Sequence, residues 1–487
     1  MLTPSGPYFI PQWACHGRYG LFHYNVMNDS RKKSRTNSRL HQLALLTRLA
    51  VPIVMSRVGL YTMEIVDTLI IGQVGAAALA GVGTGGALFW FVTVTVSAVV
   101  LPLDAMFSRK LGAGHTKDAH NLLLHGLIIG MALSAFGVGI LLVTSHFLPE
   151  IGIGAEMLDP AKAFLQTILL SFPLVITINI MNSFWQARKR PIAMAVIIVA
   201  ANFVNYFANI ALVLGHYGFE PLGARGAALA TLIARIFMVL AILAYSNWSY
   251  GGQLMKTFRL AWSPHLETFR HILKLGMPSA AQAAAEVGAF SLSTIVITRL
   301  GAQATAAHQV LLRIASFTFM FPLGVSQATS VMVGHRLGEG DVHGARRAGW
   351  SGIYLGAGIM AISSIAMLLF PEIIYGSFTT DPGVFNLGVS CLLYMGIFQI
   401  FDGIQVAATG ALRGFGNTAA SMQANLLGYY LLGLPIGLWL CFARGMNILG
   451  LWIGLATGLI AVAIWLIIVW FQLTRRTPSA SIAPQIS

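Results

Sequence analysis

The sequence predicts an all-α polytopic membrane protein: 12 transmembrane helices in two six-helix lobes, related by a parallel pseudo-twofold repeat around a central cavity. Three observations predict it. The first is composition: 56% of the 487 residues are hydrophobic and 9% are charged, against roughly 25% charged in an ordinary soluble domain. So little charge cannot cover a water-facing surface of this size. The second is the recurrence of apolar runs of about twenty residues, the length a helix needs to cross a bilayer. The third is a repeat. Residues 48–126 and 274–352 align without a gap at a constant shift of 226 (274 − 48). They match at Pro52/Pro278, Gly75/Gly301, Leu111/Leu337, Gly112/Gly338, Gly114/Gly340 and Gly126/Gly352. Glycines and a proline in register mark turns and kinks that both copies must build.

Twelve helical spans are expected at about 43–71, 77–106, 118–146, 161–187, 192–214, 224–247, 268–298, 304–334, 346–370, 384–411, 418–441 and 447–473. Several are long for a core of ~30 Å, which predicts tilt or protruding ends. Basic residues divide unevenly between the loops. Arg109, Lys110, Lys117, Arg188, Lys189, Arg190, Lys256, Arg259, Arg270, Arg336, Arg346, Arg347, Arg413, Arg475 and Arg476 fall on one side, and only Lys162, Arg225, Arg299 and Arg444 on the other. The positive-inside rule then puts both termini in the cytoplasm, in agreement with an even number of spans.

The expected organisation is a disordered cytoplasmic leader (1–41), a first lobe (42–247), a cytoplasmic inter-lobe loop (248–267), a second lobe (268–473) and a cytoplasmic tail (474–487). Six crossings per lobe give the second lobe the orientation of the first, which suits alternating access by rocking around a central site. Pro52, Pro278, Pro322 and Pro435 are candidate bends. No cleavable signal precedes the basic run at Arg31–Arg39, and Met27 is a candidate alternative start.

Several classes are excluded. The net charge of +14 is spread between spans rather than gathered into a nucleic-acid patch. Cys15, Cys391 and Cys441 are too scattered for a disulfide framework or a metal cluster. There is no GxxxxGK[ST] phosphate loop and no HExxH, so no enzyme and no cofactor is expected. The glycine-rich LGAGHTKDA and LGEGDVHGA follow membrane helices and read as tight turns. Met181, Phe184, Trp185, Phe317, Phe319, Met320 and Phe321 suit either an accommodating cavity or helix packing.

Polar groups inside the spans carry the chemistry, because a mid-membrane carboxylate costs about 2.5–3.5 kcal/mol on insertion scales. Glu286 follows Lys274 by about 18 Å of helix, and Asp402 precedes Arg413 by roughly 16 Å. Both lie near the midplane of the second lobe, as a paired cation or proton site or as acids locked to a buried arginine such as Arg313. In the first lobe, Asp67 lies near the outer end of span one, and Asn205 and Asn209 stand one turn apart on span five, preceded by Asn202. Carboxylate and amide oxygens suit a hard cation or a proton-linked network. Glu64 shares a face with Asp67, and Arg57, two turns earlier, is expected to offset their repulsion. Arg235 is expected to brace its lobe.

At these residues a resemblance becomes specific. VDTLIIGQVG around Asp67, GAQATAAHQV followed by FMFPLGVSQATSVMVGHRLGEGD, and FDGIQVAATGALRGFGNT around Asp402 resemble the multidrug and toxic compound extrusion (MATE) family, NorM-type branch, over residues 43–473. The resemblance implies two six-helix lobes and cation-driven export of bulky organic cations such as dyes and fluoroquinolones. It implies that Asp67, Asn205, Asn209, Glu286 and Asp402 serve cation coupling or substrate, with Glu286 and Asp402 holding Na⁺ if sodium is the coupling ion. Three departures bear on that ion, Na⁺ or H⁺. Phe398 stands where some sodium-coupled members have a tyrosine, Arg313 where an uncharged residue is usual, and Glu64 adds an acid beside Asp67.

The expectation is a multi-pass antiporter of the cytoplasmic (inner) membrane. Its partners are small lipophilic organic cations and the lipid bilayer, with no nucleic acid and no obligate protein partner, as a monomer. The alternative is a lipid-linked precursor flippase, to which Arg57, Arg235 and Arg313 would contribute a basic cavity.

Overall fold

A computed structural model describes residues 39–151, 154–261, 263, 265–379 and 381–476. The candidate start at Met27, Cys15, nearly all of the leader and most of the tail lie outside the described residues. Twelve helices in the described chain are long and apolar enough to cross a membrane: α1 His41–Ile71, α2 Ala76–Gly112, α3 Thr116–Glu150, α4 Glu156–Ala187, α5 Pro191–Leu212, α6 Gly223–Ser249, α7 Leu266–Thr298, α8 Ala302–Gly338, α9 Val342–Leu369, α10 Pro382–Phe415, α11 Ala419–Ala443 and α12 Asn447–Arg475. All twelve coincide with expected spans. Large apolar side chains such as Leu69, Ile192, Leu240 and Ile362 stay exposed, as they must where lipid is the solvent and the helix satisfies its own backbone.

Helices α1–α6 form one lobe and α7–α12 the other, and the 226-residue shift is physical. At the end of the bundle that carries most basic loops, hereafter the basic end, α2 crosses α8. A Cβ at Gly112 would overlap the His335 carbonyl, and one at Gly338 would overlap the Arg109 carbonyl. The shift carries 112 to 338 and 109 to 335, so these are one contact made twice across the pseudo-twofold axis. Side chains of the same two residues repeat the relation. His335 Nε2 bonds the Ala187 carbonyl at 2.6 Å, and Arg109 donates to the Phe415 carbonyl at 3.0 Å. Ala187 and Phe415 each end the fourth helix of their lobe. After the crossing, Gly114 and Gly340 take φ of 80° and 76°, a left-handed turn that β-carbon sterics disfavour.

The first helix of each lobe leans onto the other lobe in the same reciprocal way. Leu46, Ala50 and Ile53 of α1 bury into the second lobe's core beside Val325 and Ala328. Ile272 of α7 joins the first lobe's core, and Gly276 packs against the Val99 backbone. Small residues allow such close approach where packing, not hydrophobicity, must hold helices together. Pro52, Pro278 and Pro322 lie inside α1, α7 and α8. Pro435 sits between two π-helical stretches of α11, Leu426–Gly433 and Trp439–Ala443.

The connection between lobes carries a short helix, Leu254–Ala261, and is tied to α3. Asn121 donates to the Ser263 carbonyl (2.9 Å) and accepts from its N–H (3.0 Å). Of the aromatic and methionine residues with two readings, Met181, Phe184 and Trp185 are packing residues, buried inside the first lobe's core, whereas Phe317 is exposed.

Candidate functional site

Two polar clusters interrupt the apolar interior, one per lobe, and they break the repeat. The shift carries Asp67 to Ser293 and Glu286 back to Leu60. The scaffold is duplicated; the chemistry is not.

In the first lobe, Asp67 on α1 accepts three hydrogen bonds. Asn205 Nδ2 (3.0 Å) and Asn209 Nδ2 (2.6 Å) donate to Oδ1, and Thr231 Oγ1 of α6 donates to Oδ2 (2.6 Å). Both asparagines are fully buried. Asn202, one turn earlier, instead donates to the Ile198 carbonyl. Thr231 was not marked by the sequence. One turn after it stands Arg235, which bonds Ser171 Oγ, lies 5.1 Å from the Phe89 ring centre and places its charge near Glu64 and Asp67. It braces the lobe, as expected, and also supplies the counter-charge. Arg57 does not: it donates to Gln327 Oε1 of α8 at 3.2 Å and sits by Asp104 and Arg413. The seven-residue spacing to Glu64 is correct for two helical turns, but the Arg57 side chain crosses to the other lobe.

In the second lobe, Glu286 on α7 accepts from Gln405 Nε2 of α10 (3.3 Å) and Asn425 Nδ2 of α11 (3.2 Å). Asp402 lies on α10, 3% exposed and close enough to Glu286 for the two charges to interact. Arg313 is not their partner; its charge acts on Tyr61 and Glu64 instead. The expectation of acids locked to Arg313 is therefore corrected. Phe398, one turn before Asp402, packs edge-on against Phe290 (6.1 Å) and Trp452 (6.0 Å). A tyrosine oxygen lies near the two acids on α11 instead. Tyr429 is fully buried, tilted against Phe290 at 6.1 Å, and lies within reach of the charges of Glu286 and Asp402. The π-helical stretch that begins at Leu426 holds Tyr429, and π-bulges often re-aim side chains at functional sites.

This donor set suits a hard cation. Gln405 Oε1, Asn425 Oδ1 and the Tyr429 hydroxyl are buried without a hydrogen-bond partner, beside two carboxylates. Orphaned oxygens in a dry interior are costly unless something binds them, and hard cations prefer oxygen ligands. The first-lobe cluster shares the feature in part: Asn205 Oδ1 and Asn209 Oδ1 are also buried with no partner among the described residues, beside an Asp67 whose two oxygens already accept three hydrogen bonds. No group of three or more His, Cys, Asp or Glu side chains able to hold a metal occurs among the described residues.

A third polar group ties the lobes together at the basic end. Asp104 of α2 and Arg413 of α10 form an ion pair (3.4 Å) with both side chains nearly buried. Asp104 also accepts from Ser330 Oγ of α8 at 2.9 Å, and the 226-residue shift carries 104 to 330. Nearer the middle of the membrane, Tyr61 of α1 and Phe317 of α8 meet at 6.3 Å. One turn further from the basic end, Glu64 and Arg313 are both exposed and within reach of each other's charge, with no ion-pair or hydrogen-bond partner for their side chains among the described residues. Contacts between the lobes thus include the α2/α8 crossing and the Asp104–Arg413 pair at the basic end, and the Tyr61–Phe317 pair nearer the middle. The three arginines of the flippase alternative do not converge: Arg57 bonds Gln327, Arg235 bonds Ser171, and Arg313 is exposed beside Glu64.

The sequence model of the MatE family matches residues 52–211 and 278–439, one stretch in each lobe. The chain is 32% identical to the "Probable multidrug resistance protein NorM" of Pseudomonas putida, over 83% of this chain and 88% of that protein. It is also 32% identical to the NorM protein of Xanthomonas axonopodis pv. citri, over 80% and 85%. Among solved structures, it resembles the eukaryotic MATE transporter AtDTX14 with a TM-score of 0.82 and 20% identity, over 90% of this chain and 98% of that one. An outward-facing multidrug resistance MATE family transporter of the MOP superfamily gives a TM-score of 0.80 at 19% identity, over 91% and 97%.

Proposed function

The chain belongs to the MatE family, and from that premise we propose that it is a secondary active antiporter that exports lipophilic organic cations in exchange for Na⁺ or H⁺. It acts as a monomer in the cytoplasmic membrane with the basic end and both termini in the cytoplasm, which the distribution of Lys and Arg supports. Lobes 42–247 and 268–473 move against one another, joined by 248–267. With the contacts at the basic end in place, this conformation is taken as outward-facing, with a cleft between the lobes beyond Tyr61 and Phe317.

The observation that carries the reading is the second-lobe cluster. Two carboxylates, Glu286 and Asp402, share a dry site with the unpartnered oxygens of Gln405, Asn425 and Tyr429. Like charges so placed repel, and burial makes each expensive, so the site favours capture of a cation. The ion enters from outside through the cleft and binds there, where two carboxylates meet; Asp67, a single carboxylate that already accepts three hydrogen bonds, is a proton-linked or substrate-linked group beside it. Glu64, exposed on the cleft wall with Tyr61 and Phe317 one turn below, offers an anion and two aromatic faces to a lipophilic cation.

For exchange, ion binding must favour a conformation with lower affinity for the exported solute, since a ligand shifts an equilibrium only by differential binding. The α2/α8 crossing is the axis about which the lobes rock. Release of the basic-end contacts opens the cleft to the cytoplasm, the ion leaves, and a new organic cation binds. Cells that express the protein are expected to extrude a fluorescent lipophilic cation, and collapse of their ion gradients should stop it. Dye retention equal to that of cells without the protein would count against export.

A further inference from the structure

A cavity of about 570 Å³ lies where the starts of α1 and α9 meet the end of α12. His343, Arg346, Arg347, Trp350 and Tyr354 of α9 line it, with Phe471 of α12 opposite. Their order along α9 is the informative feature. The cationic groups come first, at the basic end, and the rings follow one and two turns deeper. Arg346 and Tyr354 are separated by eight residues, about 12 Å of helix. Trp350 and Tyr354 stack at 5.8 Å with planes 29° apart, and Tyr354 is 62% exposed. Arg475 lies 4.1 Å from the Phe471 ring centre and adds a charge at the rim.

Among the described residues, Arg346 and Arg347 pair with no acid. The neighbouring Glu339 and Asp341 are engaged by Arg336, at 3.1 and 3.8 Å, and Asp341 caps α9 by accepting from the Gly344 N–H. Arg347 Nε is buried with no hydrogen-bond partner. The N-terminus of α9 adds to the positive field rather than relieving it. A polar atom buried this way needs an acceptor, and guanidinium groups match phosphate oxygens in geometry and charge.

We propose that this cavity holds an anionic phospholipid, its phosphate on Arg346 and Arg347 and its glycerol and acyl chains along Trp350, Tyr354 and Phe471. The cation-to-ring gradient along α9 favours a lipid over a free phosphate, which has no use for the rings. The site borders α1 where that helix leans onto the second lobe (Leu43 is part of the lining), so the lipid braces the inter-lobe contact.

The test is thermal unfolding of the purified full-length protein titrated with phosphatidylglycerol, phosphatidylcholine or inorganic phosphate. Phosphatidylglycerol alone is expected to raise the midpoint. The pair Arg346→Gln and Arg347→Gln should weaken its apparent affinity by roughly tenfold or more, given the per-residue worth of basic groups near anionic lipid. Tyr354→Ala, at an exposed position that leaves the fold intact, should weaken the lipid effect and leave inorganic phosphate without any. Equal stabilisation by phosphatidylcholine, equal stabilisation by inorganic phosphate, or an unchanged response in both the arginine pair and Tyr354→Ala would overturn the proposal.

Discussion

Asp402→Asn is expected to abolish ion-driven export while leaving the protein folded. The amide has nearly the shape of the carboxylate, so the packing around Phe398, Gln399 and Met395 on the same helix is kept. What is lost is one of the two negative charges beside Glu286. Allosteric coupling between two ligands is worth about 1–3 kcal/mol, or roughly 5- to 150-fold in affinity, and it vanishes when the ion no longer binds differentially. Dye efflux and the thermal midpoint measured on the same preparation check both halves of the expectation. Because the substitution removes one of two mutually repelling buried charges, the midpoint should stay at or above that of the wild type. Wild-type efflux by Asp402→Asn would remove Asp402 from the mechanism.

Arg413→Ala is expected to be the most destabilising of the single substitutions considered. It strips Asp104 of its ion-pair partner at a site where Asp104 is 1% exposed. Breaking a buried pair by removing one partner costs about 3–5 kcal/mol, whereas replacing both partners with apolar groups of similar volume is often neutral. Asp104→Leu combined with Arg413→Met should therefore recover most of the lost stability. The contrast is read from the thermal midpoints of Arg413→Ala and of the double variant. Since the pair joins α2 of one lobe to α10 of the other, the recovered double variant should also spend more time open at the basic end. A double variant no more stable than Arg413→Ala would contradict the ion-pair account.

The scaffold was legible because its constraints are local and repeated. Span lengths follow from apolar runs, and the register of Gly112/Gly338 and Gly114/Gly340 reflects a helix crossing and a turn that each lobe builds once. The first-lobe site was legible for a related reason: Asp67, Asn205 and Asn209 are polar residues at helical spacing in apolar spans, and the structure brings them together. Thr231 was not. Threonines in these helices commonly bond their own i−4 carbonyl, as Thr62, Thr68 and Thr84 do, so nothing distinguishes one that reaches an acid on another helix. Tyr429 was hidden in LLGYYLLG, where only the π-helical register decides which of two adjacent tyrosines turns toward Glu286. Arg57 and Arg313 were assigned to the wrong acids because helical spacing fixes neighbours along one helix and is silent about which helix lies opposite. Asp104, inside an apolar span two residues after Pro102, carried the same signal as Asp402; its partner is 309 positions away.

The most direct test of the exchange mechanism is transport by purified protein in liposomes, with a fluorescent organic cation and with sodium and proton gradients imposed separately. One of the two gradients should drive the dye against its own concentration gradient, and Asp402→Asn should lose that drive. Dye movement that only follows its own gradient, indifferent to both ions, would contradict antiport.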